Sequence, residues 1–491
     1  MINFIKSSIS LRWFYIISAI FLIVNSIAVA LGYFWIGIIP IIFVVLLLGI
    51  LRIDILILFI VFLVPLSITD LNVVGGLGLT LPDEPFIICL CGLVIFKYII
   101  DGTYDYRVFK HPITIAILVN LAWVLFTSFT STEKIISLKF FTSRFWYVVV
   151  FYFLAVVLFK KFKNISRYLW LYIIPLVGVI IFTLYKHSEE SFSQRASFEI
   201  MQPFYEAHGV YSAAIAFFIP IVLLFIVFGF NIKLNFTLFA ISIPVLITLV
   251  LGLIFSFTRA AWLSVAVSLA FSLIFVFRVK FNALILLLAS VVTVALVNQD
   301  EIIYRLSLNK QNSAEGIEQH LESISNINND QSNLERLNRW VAAINMSKVK
   351  PIFGFGPGTY PFKYAVYQDP AFETEITTHF GDQGHAHSEY LNPLAESGWI
   401  GLLSWMAILF FVYKTGFRLV YNAIDIKVKI FAAAILLGLV TYLVHGVVNG
   451  YSDQDKIAVL LWGSFAIITA LDIYHIEGED QLYKLELELE D

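Results

Sequence analysis

The sequence predicts an all-α polytopic membrane protein, with 12–14 transmembrane helices and one large loop domain between its late spans. Three observations carry that prediction. Of the 491 residues, 59% are hydrophobic and only 14% charged, against about 25% charged in soluble domains. Apolar stretches of span length recur from one end of the chain to the other. Lysine and arginine collect in alternate connections between those stretches, the bias that sets membrane orientation.

A span needs about 20 mainly apolar residues. Candidates lie near 13–31, 34–51, 54–69, 84–100, 112–130, 144–159, 168–185, 209–230, 236–256, 260–277, 281–298, 397–413, 429–449 and 457–474. The crowded pair at 34–51 and 54–69 is short enough to merge or re-enter. "MINFIKSSISLRWFYIISAIFLIV" has a basic lead but no small-residue cleavage site, so it reads as a retained first span. With the N-terminus inside, the inner loops from Lys6 to Lys429 hold seventeen Lys and Arg, and the short outer loops hold seven. The chain then divides into a bundle over 1–298, an outer loop domain over 299–396, a C-terminal group of spans over 397–475 and an acidic inner tail over 476–491.

Within the loop domain, 299–333 is polar and Asn/Ser-rich, a weakly helical connector. "NLERLNRWVAAINMSKVK" then spaces Leu334, Leu337, Val341, Ile344 and Val349 as a helix, expected to lie on the outer membrane face. Pro351, Gly354, Gly356, Pro357 and Gly358 break "PIFGFGPGTY" into tight turns.

Several functions drop out. A net charge of −3 gives no sign of a nucleic-acid partner. Cys89 and Cys91 sit inside "FIICLCGLVIF" and support neither a disulfide framework nor a thiolate metal site. There is no Walker A motif, no dinucleotide fingerprint and no Ser-centred elbow, and no cofactor is expected.

The informative residues are polar groups that an oily chain keeps at a cost. Arg259, in "FSFTRAAWLSV", stands at the outer end of a span. An arginine at a helix centre costs about 2.5–3.5 kcal/mol to insert, and less near the ends. It either snorkels to the interface or faces an outer cavity and binds an anion. Arg336 and Arg339 are neighbours on one helix face, as a solvated basic stripe or a diphosphate clamp. Arg144 and Arg195 read as structural.

In "GHAHSEYLNPLAESGWIG", His385, His387 and Glu389 alternate. A strand would let them share a face and ligate zinc, although no further ligand stands out and no metal is expected. As a loop they are simply polar. The third reading makes one histidine a general base, because a neutral imidazole with a pKa near 6.5 accepts a proton from an attacking hydroxyl. His387, nearer the span, is preferred. Either Ser388 caps a short turn, or Asn392 caps a helix with Pro393 as its first residue. His445 and Asn449, with Asp453 beyond, form an inward polar stripe, and Asp453 and Asp455 are either a solvated turn or a cation pair.

These residues resemble the O-antigen ligase/polymerase family of bacterial envelope assembly. "FSFTRAAWLSVAVSLAF" is similar to its Arg-small-small-Trp span, and "ERLNRWVAAINMSKVKPIFGFGPGTY" to its Arg-x-x-x-Trp helix and glycine turn. "HSEYLNPLAESGW" resembles its His motif through His387, Ser388 and Gly398. "PFYEAHGVYSAAIAFFIP", with His208, is a looser match. The blocks span roughly 200–415; Pro393 and a span count above the usual dozen depart from the family pattern.

The resemblance implies a GT-C-like glycosyltransferase of the bacterial inner membrane, with its active site facing the periplasm. It implies a metal-independent transfer, inverting at the sugar, from an undecaprenyl-diphosphate-linked glycan to a hydroxyl, with ligation to lipid A-core first among the family's tasks. Polymerisation of repeat units and protein O-glycosylation are the alternatives. Arg259 and one or both of Arg336 and Arg339 would hold the diphosphate. His387 would be the base, with His208, His385, His445 and Asn449 lining the cavity. A small-anion transporter, the reading from another class, predicts functional charges near the midplane on broken helices. Here they gather at the outer rim.

Overall fold

The computed structural model describes residues 11–32, 47–49, 51–74, 77–102, 105–233, 235–298, 301, 331–373, 377 and 384–477. The expected connector before 331, the tail beyond 477 and most of the 34–51 span lie outside the described residues. The chain forms two compact units, Met1–Ile57 and Leu58–Asp491. In the first, helix α1 runs Leu11–Ala30. Helix α2, Ile53–Leu63, runs across the boundary. All that follows concerns the second unit.

That unit continues with α3 (Asp83–Asp101), α4 (Pro112–Phe129), α5 (Lys134–Leu158), α6 (Lys163–Glu189), α7 (His208–Val227), α8 (Phe236–Ile254), α9 (Arg259–Val276) and α10 (Phe281–Val297). After them come α11 (Gln331–Val349), α12 (Leu391–Asn422), α13 (Ile426–His445) and α14 (Asp455–Tyr474). Nine of the described helices, α4 to α9 and α12 to α14, are long and apolar enough to cross a membrane. The protein is all-α and polytopic.

Burial sorts these helices. In α14, 94% of the apolar window is inside the protein; in α9 only 22% is, so α14 is the hub and α9 faces outward. Helices approach closely where a small residue meets a large one. Gly463 of α14 lies under the Tyr168 ring of α6, whose hydroxyl donates to Val459 O at 2.8 Å. Ser268 of α9 donates to Leu437 O of α13 at 2.7 Å, locking that antiparallel pair.

Chain connectivity gives the bundle two ends. One collects the starts of α7, α9, α12 and α14, the end of α13, and the loop domain. At the other, Asp105 accepts from Arg107 and Tyr474, and Asp472 from His111 and Arg418. Arg107, His111 and Arg418 thus lie at the end away from the loop domain.

Three expectations are corrected. Helix α5 begins at Lys134, ten residues before the expected span, because Lys134 and Lys139 stay on its exposed face while Ser137 and Arg144 turn inward. Its Val149–Leu154 turn is π-helical. A β-hairpin pairs Ile68–Val74 with Leu77–Leu81, in register Ile68↔Leu81 and Thr69↔Thr80. Its sequence signal was alternation on either side of a Gly-Gly dipeptide. Along α11, Leu334 and Leu337 do bury, against Phe372, but Ile344 and Val349 are exposed. The buried stripe runs instead through Ala342, Ala343 and Met346, onto Phe355, Tyr360 and Ala395. The helix thus spends its apolar face on protein, over the start of α12.

Candidate active site

The glycine turn is fastened to the first turns of α12. Phe355 N–H donates to Ala395 O at 3.1 Å, Gly356 N–H to Glu396 O at 2.8 Å, and Trp399 N–H to Pro351 O at 2.9 Å. Backbones this close leave no room for side chains. A Cβ on Gly354 (φ +65°) would overlap the Glu396 carbonyl, and one on Gly398 (φ +68°) the Ile352 carbonyl. Helix α12 is therefore kinked at Gly398 and starts at Leu391, ahead of the expected 397.

The preceding loop carries the histidines. Ser388 Oγ accepts from Tyr390 N–H and Leu391 N–H at 3.3 and 3.4 Å, so Ser388 caps the short turn ahead of the helix, whose own N-cap residue, Tyr390, makes no side-chain capping bond. Asn392 instead accepts from Ala386 N–H at 3.1 Å. Pro393 sits in the first turn, where its missing N–H leaves no bond unmade. The loop is no strand: His387 has φ +47°. Glu389 leaves the histidines altogether, its buried carboxylate accepting from the backbone N–H groups of Tyr451 and Ser452. Its pKa is raised by that burial. The shared-face zinc reading fails on this geometry, and among the described residues no three His, Cys, Asp or Glu gather to hold a metal.

Arg336 and Arg339, expected as a pair, have separate environments. Arg339 is buried. Its Nε donates to Glu335 at 2.8 Å, its Nη1 to His385 O at 3.3 Å, and its guanidinium lies 5.1 Å from the Tyr364 ring centroid. It ties α11 to the His loop. Gly384 is needed beside it, since a Cβ there would strike the guanidinium. Arg336 is half-buried, and its charge bears on His208, His387 and His445. Trp340 Nε1–H reaches His387 O at 3.3 Å.

The other imidazoles come from helix ends. His208 opens α7 with its ring edge-on to Phe198 at 4.6 Å, and His445 closes α13. Asn449 Nδ2 lies 2.8 Å from His445 Nε2, and the same side chain interacts with His387. Arg259 opens α9 at this end of the bundle, half-buried. Separate stretches of chain thus bring His208, Arg336, His385, His387, His445 and Asn449 together.

Electrostatics sets their protonation. Burial, reinforced by Arg339, lowers the His385 pKa to about 4. Burial, then the neighbouring His385 and the charges of Arg336 and Arg339, lowers that of His387 to about 2, against a smaller opposing effect of Asn449. Both rings are neutral at ordinary pH.

The remaining candidates are structural. Arg144 grips Asp453 through two bonds of 2.9 and 2.8 Å. Asp455 instead accepts from Ser67 Oγ at 3.3 Å, while Lys456 donates to Val64 O, Ser67 O and Ser67 Oγ at 2.9 Å each. The Asp-x-Asp is thus neither a solvated turn nor a single cation site. Arg195 is exposed. A cavity of about 270 Å³ adjoins the His loop, lined by His385, Asn392, Glu396, Trp405 and Tyr451 among others. Sequence reasoning missed Glu335; its spacing of four from Arg339 was the available signal.

Residues 244–406 match the model of the O-antigen ligase family. The matched segment runs from within α8 to within α12 and contains Arg259, Arg336, Arg339, His385 and His387. It leaves outside the match His208, His445 and Asn449, which complete the cluster. No curated protein matches the chain. The family resemblance read from the sequence and the family of the matching model are the same.

Proposed function

We propose that the protein is an inverting, metal-independent O-antigen ligase, transferring a glycan from an undecaprenyl-diphosphate donor to a hydroxyl of lipid A-core at the periplasmic face of the bacterial inner membrane. One observation carries this reading: a neutral His387 imidazole stands beside the Arg336 cation at one end of an apolar bundle. The matched O-antigen ligase domain supports it.

In this reading the acceptor hydroxyl attacks the anomeric carbon while His387 Nδ1 takes its proton. That atom is buried and has no hydrogen-bond partner. The bond from the sugar to the diphosphate breaks on the opposite face, inverting the centre, and the lipid diphosphate leaves with its charge held by Arg336 and Arg259. Arg336 has two effects. Its charge lowers the basicity of His387 in the empty site; once the diphosphate offsets that charge, the imidazole recovers basicity, so the base is strongest when the donor is bound. Arg339, already engaged with Glu335 and His385, holds the loop and is assigned no diphosphate contact.

The test is genetic and chemical. Deletion of the gene should leave unattached lipid-linked polymer. Single capped repeats would instead make the protein a polymerase, and unmodified glycoproteins a protein O-glycosyltransferase. Complementation with His387→Ala should fail although the protein inserts. Full restoration by both His387→Ala and Arg336→Ala removes the reading.

A further inference from the structure

At the end of the bundle away from the loop domain, two short connections converge. The helical turn Tyr106–Lys110, just before α4, carries Arg107 and Lys110. The connection from α5 into α6 carries Lys160, Lys161, Lys163 and Arg167. All six residues are exposed.

The packing holds the two groups together. Arg107 Nη2 and Lys160 Nζ reach the same oxygen of Asp105, at 3.1 and 3.7 Å. Both cations also stand 5.2 Å from the centroid of one ring, that of Tyr474 at the end of α14, whose hydroxyl donates to Asp105 at 2.7 Å. Phe109 stacks on Phe153 of α5 with centroids 5.6 Å apart, which fixes the turn to the helix that leads into Lys160. Lys163 and Arg167, four apart, share one face of α6.

Positive charge is in excess here. Among the described residues, the carboxylate bonded to these cations is Asp105, while neighbouring Asp472 is engaged by His111 and Arg418. Exposed ion pairs contribute little, so Arg107 and Lys160 can exchange a shared carboxylate oxygen for a stronger anion. The surroundings decide which anion. Tyr106 and, on the last turns of α3, Phe96, Ile99 and Ile100 are 62–72% exposed, and α3 packs against α5. Cations beside open apolar surface at the end of a spanning bundle match a charged headgroup above its acyl chains. Two groups of cations on separate connections suit two phosphates better than one.

We propose that this surface binds an anionic phospholipid of the leaflet away from the loop domain, its two-phosphate headgroup bridging Arg107 and Lys110 to the Lys160–Arg167 segment. The inference stands apart from the ligase reading.

Native mass spectrometry of the purified full-length protein, titrated in detergent with cardiolipin, phosphatidylglycerol and phosphatidylcholine, tests it. Cardiolipin should bind at least tenfold more tightly than phosphatidylcholine, and more tightly than phosphatidylglycerol. Lys161→Gln/Lys163→Gln leaves the Asp105 cluster intact and should weaken cardiolipin at least fivefold, with an unchanged melting temperature in lipid-free detergent. Arg107→Gln should weaken it as much. Arg278→Gln/Lys280→Gln, exposed at the same end on the α9–α10 connection, should bind as the unaltered protein does. Equal affinity for cardiolipin and phosphatidylcholine, or patch variants that bind no worse than the Arg278/Lys280 variant, overturns the site. Phosphatidylglycerol binding as tightly as cardiolipin overturns the two-phosphate headgroup. The chain's own acidic segment beyond residue 477 is the competing occupant. Its removal should change the affinity less than twofold; a tenfold gain would assign the patch to that segment and overturn the lipid.

Discussion

The backbone N–H of His387 donates to Nδ1 of His385 at 3.0 Å, and the two rings meet edge-on with centroids 4.5 Å apart. The bond assigns the His385 tautomer: Nδ1 accepts, so the proton sits on Nε2. His387, turned by its positive φ, keeps its own Nδ1 buried and unpaired. The two histidines are thus unlike: Nδ1 of His385 accepts a loop N–H, and Nδ1 of His387 has no partner.

Replacing His387 by Ala should therefore cost about 10²–10⁴-fold in transfer rate, the usual contribution of a general base. His385→Ala should lose less, through misplacement of its neighbour. Rates of glycan transfer by the purified variants, with circular dichroism to confirm folding, measure both effects.

Acidification gives a second prediction. Each imidazole binds a proton more weakly folded than unfolded, so unfolding takes up protons below the ordinary pKa of 6.5. Stability should fall as pH drops from about 6.5 toward about 4, by at most about 1.4 kcal/mol per pH unit for each ring. Thermal unfolding across that range should show the slope, and a His385→Gln/His387→Gln double variant should flatten it. Transfer by the free enzyme should show no acid limb near pH 6.5.

The two arginines should separate by readout. Arg339→Ala strands a buried Glu335 and should destabilise by about 3–5 kcal/mol, with partial recovery in Glu335→Leu/Arg339→Met. Arg336→Ala should lower transfer at least a hundredfold, by more than any accompanying fall in melting temperature accounts for. Melting curves and transfer rates on the same preparations decide it.

Gly354→Ala places a methyl group into the Glu396 carbonyl at a φ that side chains rarely adopt. Backbone strain of this kind costs about 1–3 kcal/mol. The variant should melt at lower temperature and lose transfer activity, because the same contact seats the start of α12 beneath the His loop. Gly92→Ala, where nothing lies within 4 Å of the added carbon, is the matched control.

The sequence by itself determined the membrane class, most of the spans, the helical loop segment and the candidate residues. Apolar run length and helical spacing are local properties, and a bilayer forces helices on any chain that meets them. Local pattern also held the clues to the hairpin and to Glu335, but neither was strong enough to stand out against the spans around it. Only the tertiary structure separated Arg336 from Arg339, sent Glu389 away from the histidines, and paired Asp453 with Arg144 across a sequence gap of about three hundred residues. It also brought His208 and His445 from opposite halves of the chain to one place. The reason is geometric: a side chain's partner, and so its charge state and role, is set by what packs across from it, and that depends on how distant helices meet.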